Sequence, residues 1–338
     1  MCDMGERVIT LVPILAEDVL AIGRRLLPPG YRLEIVSKAD LPSRISGIEF
    51  LLGMEPGWID DDLLARAKNL KLVQLMNVGY DSFNVEGARK ARLPVAVNGG
   101  ANAISVAEHT LMFILALLKR IALLDENVRT GVWRGGALGG LRIHEIWSQT
   151  IGIVGMGRIG QEVARRLRPF EPGEMVYFDP FRPPPEREKE LGVRYLPLDE
   201  LLSVSDVVTL HVPLMPSTRN MIDARTLALM KATAILINNS RGGLVDEAAL
   251  ADALARGVIA GAGLDVFAQE PPPKDHPLFA LRNVLLTPHM AGPTWESYPR
   301  RFANCYENIV RVANGGQPQW VIPELAEVLE APAPACAR

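Results

Sequence analysis

The 338-residue chain carries 36 lysines and arginines against 39 aspartates and glutamates, well mixed, for a formal net charge of -3; this leaves no electrostatic footprint for nucleic acid or an anionic membrane and points to small-molecule partners. A hydrophobic content of 48% at this length can fill the cores of two compact domains. Three cysteines, Cys2, Cys305 and Cys336, lack Cys-x-x-Cys spacing, which argues against a disulfide framework or a zinc site, so no metal is expected, and points to a reducing cytoplasm.

From the amino end, the apolar run Val8–Ala16 is broken by Pro13 and followed by Glu17 and Asp18, which fits a first strand better than a signal peptide. Apolar, β-rich runs then alternate with helical stretches, the pattern of parallel sheets covered by helices. Strands are expected at Val8–Val12, Leu33–Val36, Phe50–Leu52, Leu72–Leu75 and Val95–Val97, with helices such as Asp60–Ala67 between them. Next, Ser105 and Glu108 have the spacing of a helix capping box, and an apolar run leads to Lys119–Arg120, so one helix is expected over Ser105–Arg120. Its run Leu111–Leu118 is too short to span a bilayer. Apolar around most of its circumference, the helix is read as buried on several sides, in this chain's core or, the reading preferred, against a second subunit.

The stretch Gly131–Gln149 is rich in Gly and Trp and reads as a loop or arm. A second set of strands follows at Ile151–Val154, Met175–Phe178, Val207–Leu210, Ala234–Ile237, Gly261–Leu264 and Val284–Thr287. Arg182–Glu190 reads as a solvated loop entering a helix, and Ala331–Arg338 as a frayed tail. The fold class is therefore α/β, with two doubly wound parallel-sheet units.

Between the first strand of the second set and its helix stands Gly155-Met156-Gly157-Arg158-Ile159-Gly160. Glycines here permit a tight turn, let backbone N–H groups approach a pyrophosphate at the positive helix end, and let helix and strand pack closely. Asp179 ends the next strand, 19 residues past Gly160, where an acid meets the adenosine ribose. Its carboxylate repels a 2′-phosphate, so the cofactor expected is NAD rather than NADP, with Arg182 nearby weighing the other way.

Arg241 follows the buried run Ala234–Ile237 within four residues. Alone it reads as an ordinary loop arginine; at the carboxyl end of a parallel strand it stands where open α/β sheets bind ligands. Asp265, Glu270 and His289 also lie past strand ends of the same set. His144, His211 and His276 are read as structural. His289 differs, because Glu270 comes from a neighbouring strand end, and such a carboxylate orients an imidazole and favours its charged form. Base, carboxylate-binding cation and dinucleotide together suit hydride transfer from a 2-hydroxy acid.

The segments "GIVGMGRIG", "LHVPLMPSTRNMID", "LINNSRGGLVDEAALADAL", "AGAGLDVFAQEPP" and "LLTPHMAG", with "NVGYDSFNVEGARKARLPVAVNGGANAISVAEHT" before them, resemble the D-isomer-specific 2-hydroxyacid dehydrogenase family over nearly the whole chain. The resemblance implies that Arg241 holds the substrate's carboxylate and carbonyl oxygens, that His289 is the general acid/base, and that Glu270 orients and charges it. Asn77, Val78 and Gly79 would hold the substrate, the last two through backbone N–H groups. Cofactor contacts would come from the turn Gly155–Gly160, from Asp179, from His211, Val212 and Pro213 on the adenine side, from Asp265 at the nicotinamide carboxamide, and from Ser105, Thr218, Asn239, His289 and Gly292.

The family's architecture implies a flavodoxin-like substrate domain of residues 1–100 and 294–338 with an inserted Rossmann domain of residues 101–293, a cleft between them as the place of catalysis, and a homodimer. Two departures stand out: "RPFEPGEMVYFDP" is about two residues longer than the usual turn, and "RIHEIWSQT" replaces a more polar lead into the first cofactor strand. The chain ends soon after "WVIPEL", without the regulatory extension of long phosphoglycerate dehydrogenases. Trp295 is read either as capping the substrate pocket or as packing under the helix. The function implied is NAD-dependent interconversion of a D-2-hydroxy acid and its 2-keto acid, in the class of glyoxylate, hydroxypyruvate and phosphoglycerate; Gly53–Glu55, Asn77–Gly79 and Trp295 would shape the pocket. The alternative is an NAD(H)-sensing, corepressor-like binding protein on the same fold. Formate-type dehydrogenation is disfavoured, because that branch has glutamine where Glu270 stands.

Overall fold

The computed structural model describes residues 6–12, 15–54, 56–133 and 141–330. Cys2, Pro13, Glu55, the middle of the Gly-Trp arm, and the tail with Cys336 lie outside the described residues. The chain forms two compact units, Met1–Asn102 with Thr294–Arg338, and Ala103–Pro293.

In the first unit, β1 (Arg7–Val12), β2 (Tyr31–Ile35), β3 (Phe50–Gly53), β4 (Leu72–Leu75) and β5 (Val95–Ala96) form one parallel sheet in the order β2-β1-β3-β4-β5, the flavodoxin-like winding. Side chains alternate between its faces. Ile9, Leu11, Phe50, Leu52 and Leu72 pack with Phe302 and Ile309, while Leu51, Val73, Leu75 and Val95 join Leu63 and Phe83 on the other side. Phe302 belongs to the helix Ser297–Ala313. It seats against Gly23, where a Cβ would stand 2.7 Å from its ring.

In the second unit, β6 (Thr150–Val154), β7 (Glu174–Phe178), β8 (Arg194–Tyr195), β9 (Val207–Leu210), β10 (Ile235–Asn238), β11 (Gly261–Leu264) and β12 (Val284–Leu286) run parallel in the order β12-β11-β10-β9-β6-β7-β8. In β10, Ile235 and Ile237 pack with Phe113, Ile114 and Val163, and Leu236 packs with Leu210 and Leu250 opposite. Burial on both faces is why this strand reads as an unbroken apolar run. The strand β8 has two residues at the sheet edge and no apolar run, and sequence periodicity does not reveal it.

The linking helix departs from its expected bounds. It spans Ala103–Leu118, so Ser105 is a buried residue of the first turn and does not cap the helix. The Gly100 turn, at φ 89°, precedes it, and Arg120, at φ 55°, separates it from the helix Ile121–Arg129. One face lies on the sheet, with Phe113 over Gly263, where a Cβ would stand 2.8 Å from the ring. Ile104 and Met112 are exposed, so the unit's own sheet covers one side of this helix. Among the described residues no helix is long and apolar enough to cross a membrane.

Candidate active site

The strand order of the second unit reverses between β6 and β9, and a crevice outside the carboxyl ends of strands at such a reversal is where open α/β sheets take ligands. The turn after β6, on one side of the crevice, is built around glycine. Gly155, at φ 99°, comes so close to the β9 exit that a Cβ would meet the backbone of His211 at 2.7 Å, and a Cβ on Gly160 would collide with the Gly155 carbonyl. A Cβ at Gly157 would meet nothing within 4 Å, so space remains there for a ligand. Gly157 also caps the helix Arg158–Leu167 without a side-chain hydrogen bond, leaving its first N–H groups available to an anion.

Asp179 organises this turn. Its Oδ2 accepts from the Met156 amide at 2.7 Å and its Oδ1 from the Phe181 amide at 2.8 Å, so the acid read as a ribose ligand also ties the glycine turn to the end of β7. On the β9 side, Thr218 Oγ1 donates to Pro213 O at 2.7 Å and accepts from the Met215 amide at 2.8 Å, folding the segment after Val212 back on itself. His211 Nε2 lies 2.9 Å from Thr209 Oγ1, while its Nδ1 is buried with no partner. Burial pushes the imidazole down to about 3, so the ring is neutral at working pH. The open ground over Gly157, the uncapped helix end, the acid after β7 and the unpartnered nitrogen together fit a dinucleotide.

The catalytic candidates stand on three neighbouring strand exits. After β10, Asn238 Nδ2 donates to Arg241 O at 2.9 Å and Ser240 Oγ to Leu210 O at 2.8 Å, pinning the loop that carries Arg241. Gly242 follows, and a Cβ there would collide with the backbone of Phe267 and Ala268. The Arg241 loop and the loop leading to Glu270 are thus interlocked. Glu270 Oε1 accepts from the Phe267 amide at 2.9 Å, and its Oε2 is 2.7 Å from His289 Nδ1. With Nδ1 engaged, Nε2 is the ring nitrogen left for proton exchange.

His289 has φ 56°, a left-handed conformation that needs support from its surroundings. Its amide donates to Asp265 O at 2.7 Å, and the Asp265 carboxylate accepts from Thr287 Oγ1 at 2.5 Å and from the amides of Met290 and Ala291 at 2.8 Å each. Asp265 is 1% exposed. Its observed work is to hold the His289 loop, and three of its roughly four acceptor positions are taken before any nicotinamide contact. His109 Nε2 lies 3.0 Å from Thr287 Oγ1, and burial lowers its pKa. Asn239 is hydrogen-bonded to Thr110 Oγ1 at 3.0 Å, and Ser105 and Gly292 are buried. His276 pairs with Glu247 at 3.1 Å, a structural contact as expected.

In the first unit, Asn77, Val78 and Gly79 follow β4, with Asn77 Nδ2 donating to Gly79 O. Beneath them lies a residue that sequence reasoning missed. Arg301 is 4% exposed, donates from Nη1 to Met76 O at 3.2 Å, forms no ion pair among the described residues, and has its pKa lowered by burial. In sequence it is one of three arginines in the helix Ser297–Ala313, with nothing to mark it. Trp295 is 57% exposed and edge-on to Tyr298, so it does not pack under the helix. Among the described residues no cluster of three or more His, Cys, Asp or Glu could hold a metal ion.

Residues 111–291 match the model of the D-isomer specific 2-hydroxyacid dehydrogenase NAD binding domain. The chain is 40% identical over 283 residues to a glyoxylate reductase of Korarchaeum cryptofilum, covering 83% of this chain and 85% of that one. It is 36% identical over 289 residues to a D-3-phosphoglycerate dehydrogenase of Archaeoglobus fulgidus, covering 85% of this chain and 54% of the relative, so it spans about half that protein's length. Among solved structures, it is similar to a glyoxylate reductase from Paecilomyes thermophila with a TM-score of 0.80 at 27% identity, covering 95% of this chain and 99% of that one.

Proposed function

The chain belongs to the D-isomer-specific 2-hydroxyacid dehydrogenase family, and from that premise we propose that it is a homodimeric, cytoplasmic enzyme reducing a small 2-keto acid of the glyoxylate, hydroxypyruvate or phosphoglycerate class with NADH, and oxidising the corresponding D-2-hydroxy acid with NAD. The observation that carries this reading is the Glu270–His289 pair on a loop interlocked with that of Arg241. A corepressor-like binding role draws no support from the relatives reported.

A dinucleotide held at the Gly155–Gly160 turn and Asp179 would supply or take the hydride at the substrate's C2. Everything else falls to the chain. His289 Nε2 gives the proton that the C2 oxygen needs on reduction and takes it back on oxidation, while Glu270 keeps the Nδ1 proton in place and orients the ring. Arg241, a planar fork, grips the carboxylate and the C2 oxygen, drawing charge toward that oxygen as the alkoxide develops. The amides of Val78 and Gly79, with Asn77 beside them, add donors to the carboxylate. At the other end of the cofactor, Asp179 accepts from the ribose hydroxyls and repels a 2′-phosphate.

The dimer reading rests on Ile104, Met112, Ile121, Val128, Trp133 and Trp147, large apolar side chains left exposed along the linking helices and the arm, the kind of surface that a subunit contact would cover. The cytoplasmic reading rests on cysteine usage. A panel of 2-keto acids assayed with NADH and with NADPH tests the function. At least one small keto acid should turn over with NADH preferred in kcat/KM, and failure across the panel would reject the reading.

A further inference from the structure

We propose that Glu188 is a positioning residue for cofactor choice: it holds Arg182 in an internal network and so denies the enzyme a ready cation for the 2′-phosphate of NADPH. The inference rests on the reading of NAD as the preferred cofactor and locates a second source of that preference besides Asp179.

Arg182 is three residues past Asp179, just after a turn closed by the Phe181 amide on the Asp179 carboxylate at 2.8 Å. An arginine at this place in a dinucleotide fold is the natural donor to a 2′-phosphate. Here its Nε and Nη2 both donate to Glu188 Oε1, at 3.2 and 2.8 Å, and its guanidinium stacks 4.7 Å over the Tyr195 ring. Glu188, on the helix Pro185–Leu191, is itself held by the hydroxyl of Tyr177 from β7. Burial pushes the Tyr177 phenol up to about 12, with the Glu188 contact acting in the same direction, so the tyrosine remains a proton donor at any working pH.

Three elements, β7, β8 and the helix after Arg182, therefore fix one guanidinium. Glu188 does two things at once. It occupies the fork that would meet a phosphate, and it adds a negative charge against a second one. Because Arg182 is about half exposed, its pairing with Glu188 is modest in strength. Glu188 is the more covered partner, with 16% of its side chain exposed; Gln in its place removes the charge that holds Arg182 while keeping an oxygen to accept from the Tyr177 hydroxyl.

The test uses the full chain as wild type, Glu188→Gln, Arg182→Gln and the double variant. Steady-state kinetics with NADH and NADPH are read beside equilibrium binding of ADP and 2′,5′-ADP, which needs no turnover. In Glu188→Gln, KM for NADPH and Kd for 2′,5′-ADP should each fall about fivefold, with kcat and the NADH and ADP constants unchanged. The double variant should lose that gain. Tyr195→Leu, which removes the stack from the other side, should move the NADPH constants in the same direction and serves if Glu188→Gln folds poorly. A NADPH-to-NADH ratio unmoved by both releasing variants, or a gain that survives in the double variant, would overturn the inference while leaving NAD as cofactor. A wild type that prefers NADPH would overturn both.

Discussion

His289 Nδ1 lies 2.7 Å from Glu270 Oε2, and the other oxygen of that carboxylate is anchored on the Phe267 amide at 2.9 Å. The carboxylate cannot turn away from the ring without breaking a backbone hydrogen bond, so it fixes both the orientation and the tautomer of the imidazole. His289→Ala should lower kcat for keto-acid reduction by about 10²–10⁴-fold, while NADH titration stays nearly unchanged, because the phosphate and ribose contacts are elsewhere. Glu270→Gln keeps one oxygen acceptor but removes the carboxylate that grips Nδ1 while anchored on the Phe267 amide. It should lower kcat for reduction while NADH titration stays nearly unchanged. A kcat equal to wild type in Glu270→Gln would make Glu270 a structural carboxylate.

Gly242 offers a test of the interlocked loops that touches neither catalytic side chain. A Cβ at this position would overlap the backbone of Phe267 and Ala268, and backbone cannot swing aside as a side-chain tip can. Gly242→Ala should cost about 1–3 kcal/mol of stability, the range of an overpacked core, and should lower kcat/KM by shifting Arg241 relative to Glu270. Thermal unfolding and steady-state kinetics on the same preparation check both. A variant equal to wild type in both would show that the loops part freely.

The fold and most of the site are legible in the sequence for one physical reason. Parallel strands buried on both faces leave unbroken apolar runs, such as Ile235–Ile237, and in this architecture the residues just past each run stand on the ligand edge, which is how Arg241, Glu270 and His289 can be picked out. What cannot be read depends on tertiary contact. The Ser105–Glu108 pair satisfies a capping pattern, yet the chain turns earlier, at Gly100, and buries Ser105. Arg301 differs from its neighbour Arg300 in burial, which no local pattern encodes. The hydrogen bond from the Met156 amide to Asp179 follows from where the glycine turn comes to rest.

His211 gives the protein an acid-sensitive element. Its imidazole is held down to about 3 by burial, against roughly 6.5 in an unfolded chain. The folded pKa is depressed, so the neutral ring's contribution is fully present above the unfolded value and is lost as pH falls from about 6.5 toward 3. By linkage, about 2 kcal/mol should be lost between pH 7 and pH 5. Urea unfolding at the two pH values measures it, and His211→Gln should flatten the difference by that amount. An equal pH dependence in both proteins would mean that His211 titrates normally.

The exposed apolar side chains of the linking helices bear on assembly. Light scattering should return twice the 37.0 kDa of the chain. Met112→Glu or Val128→Glu should shift the mass toward that of a monomer, because a buried unpaired carboxylate at an interface is costly. A wild type that stays monomeric at assay concentration would reject the dimer.

Asp179 carries two loads that substitution can separate. One is the role proposed for it, repulsion of a 2′-phosphate and acceptance of ribose hydroxyls; the other is observed, the 2.7 Å hydrogen bond that holds the Met156 amide in the glycine turn. Asp179→Asn removes the charge and keeps one oxygen acceptor, so a turn amide can still be satisfied. Asp179→Ala removes the charge and both acceptors, leaving the amide of a nearly buried residue unpaired, which costs about 1–3 kcal/mol. The Asn variant should therefore lose most of its preference for NADH over NADPH while binding ADP nearly as well as wild type. The Ala variant should lose the same preference and also bind ADP about tenfold more weakly or worse, an affinity loss within the range of that unmet hydrogen bond. Calorimetric titration with ADP and 2′,5′-ADP resolves the two contributions. Equal ADP affinity in Asn and Ala variants would show that the turn does not depend on Asp179, and an unchanged cofactor preference in both would remove the carboxylate from the account of specificity.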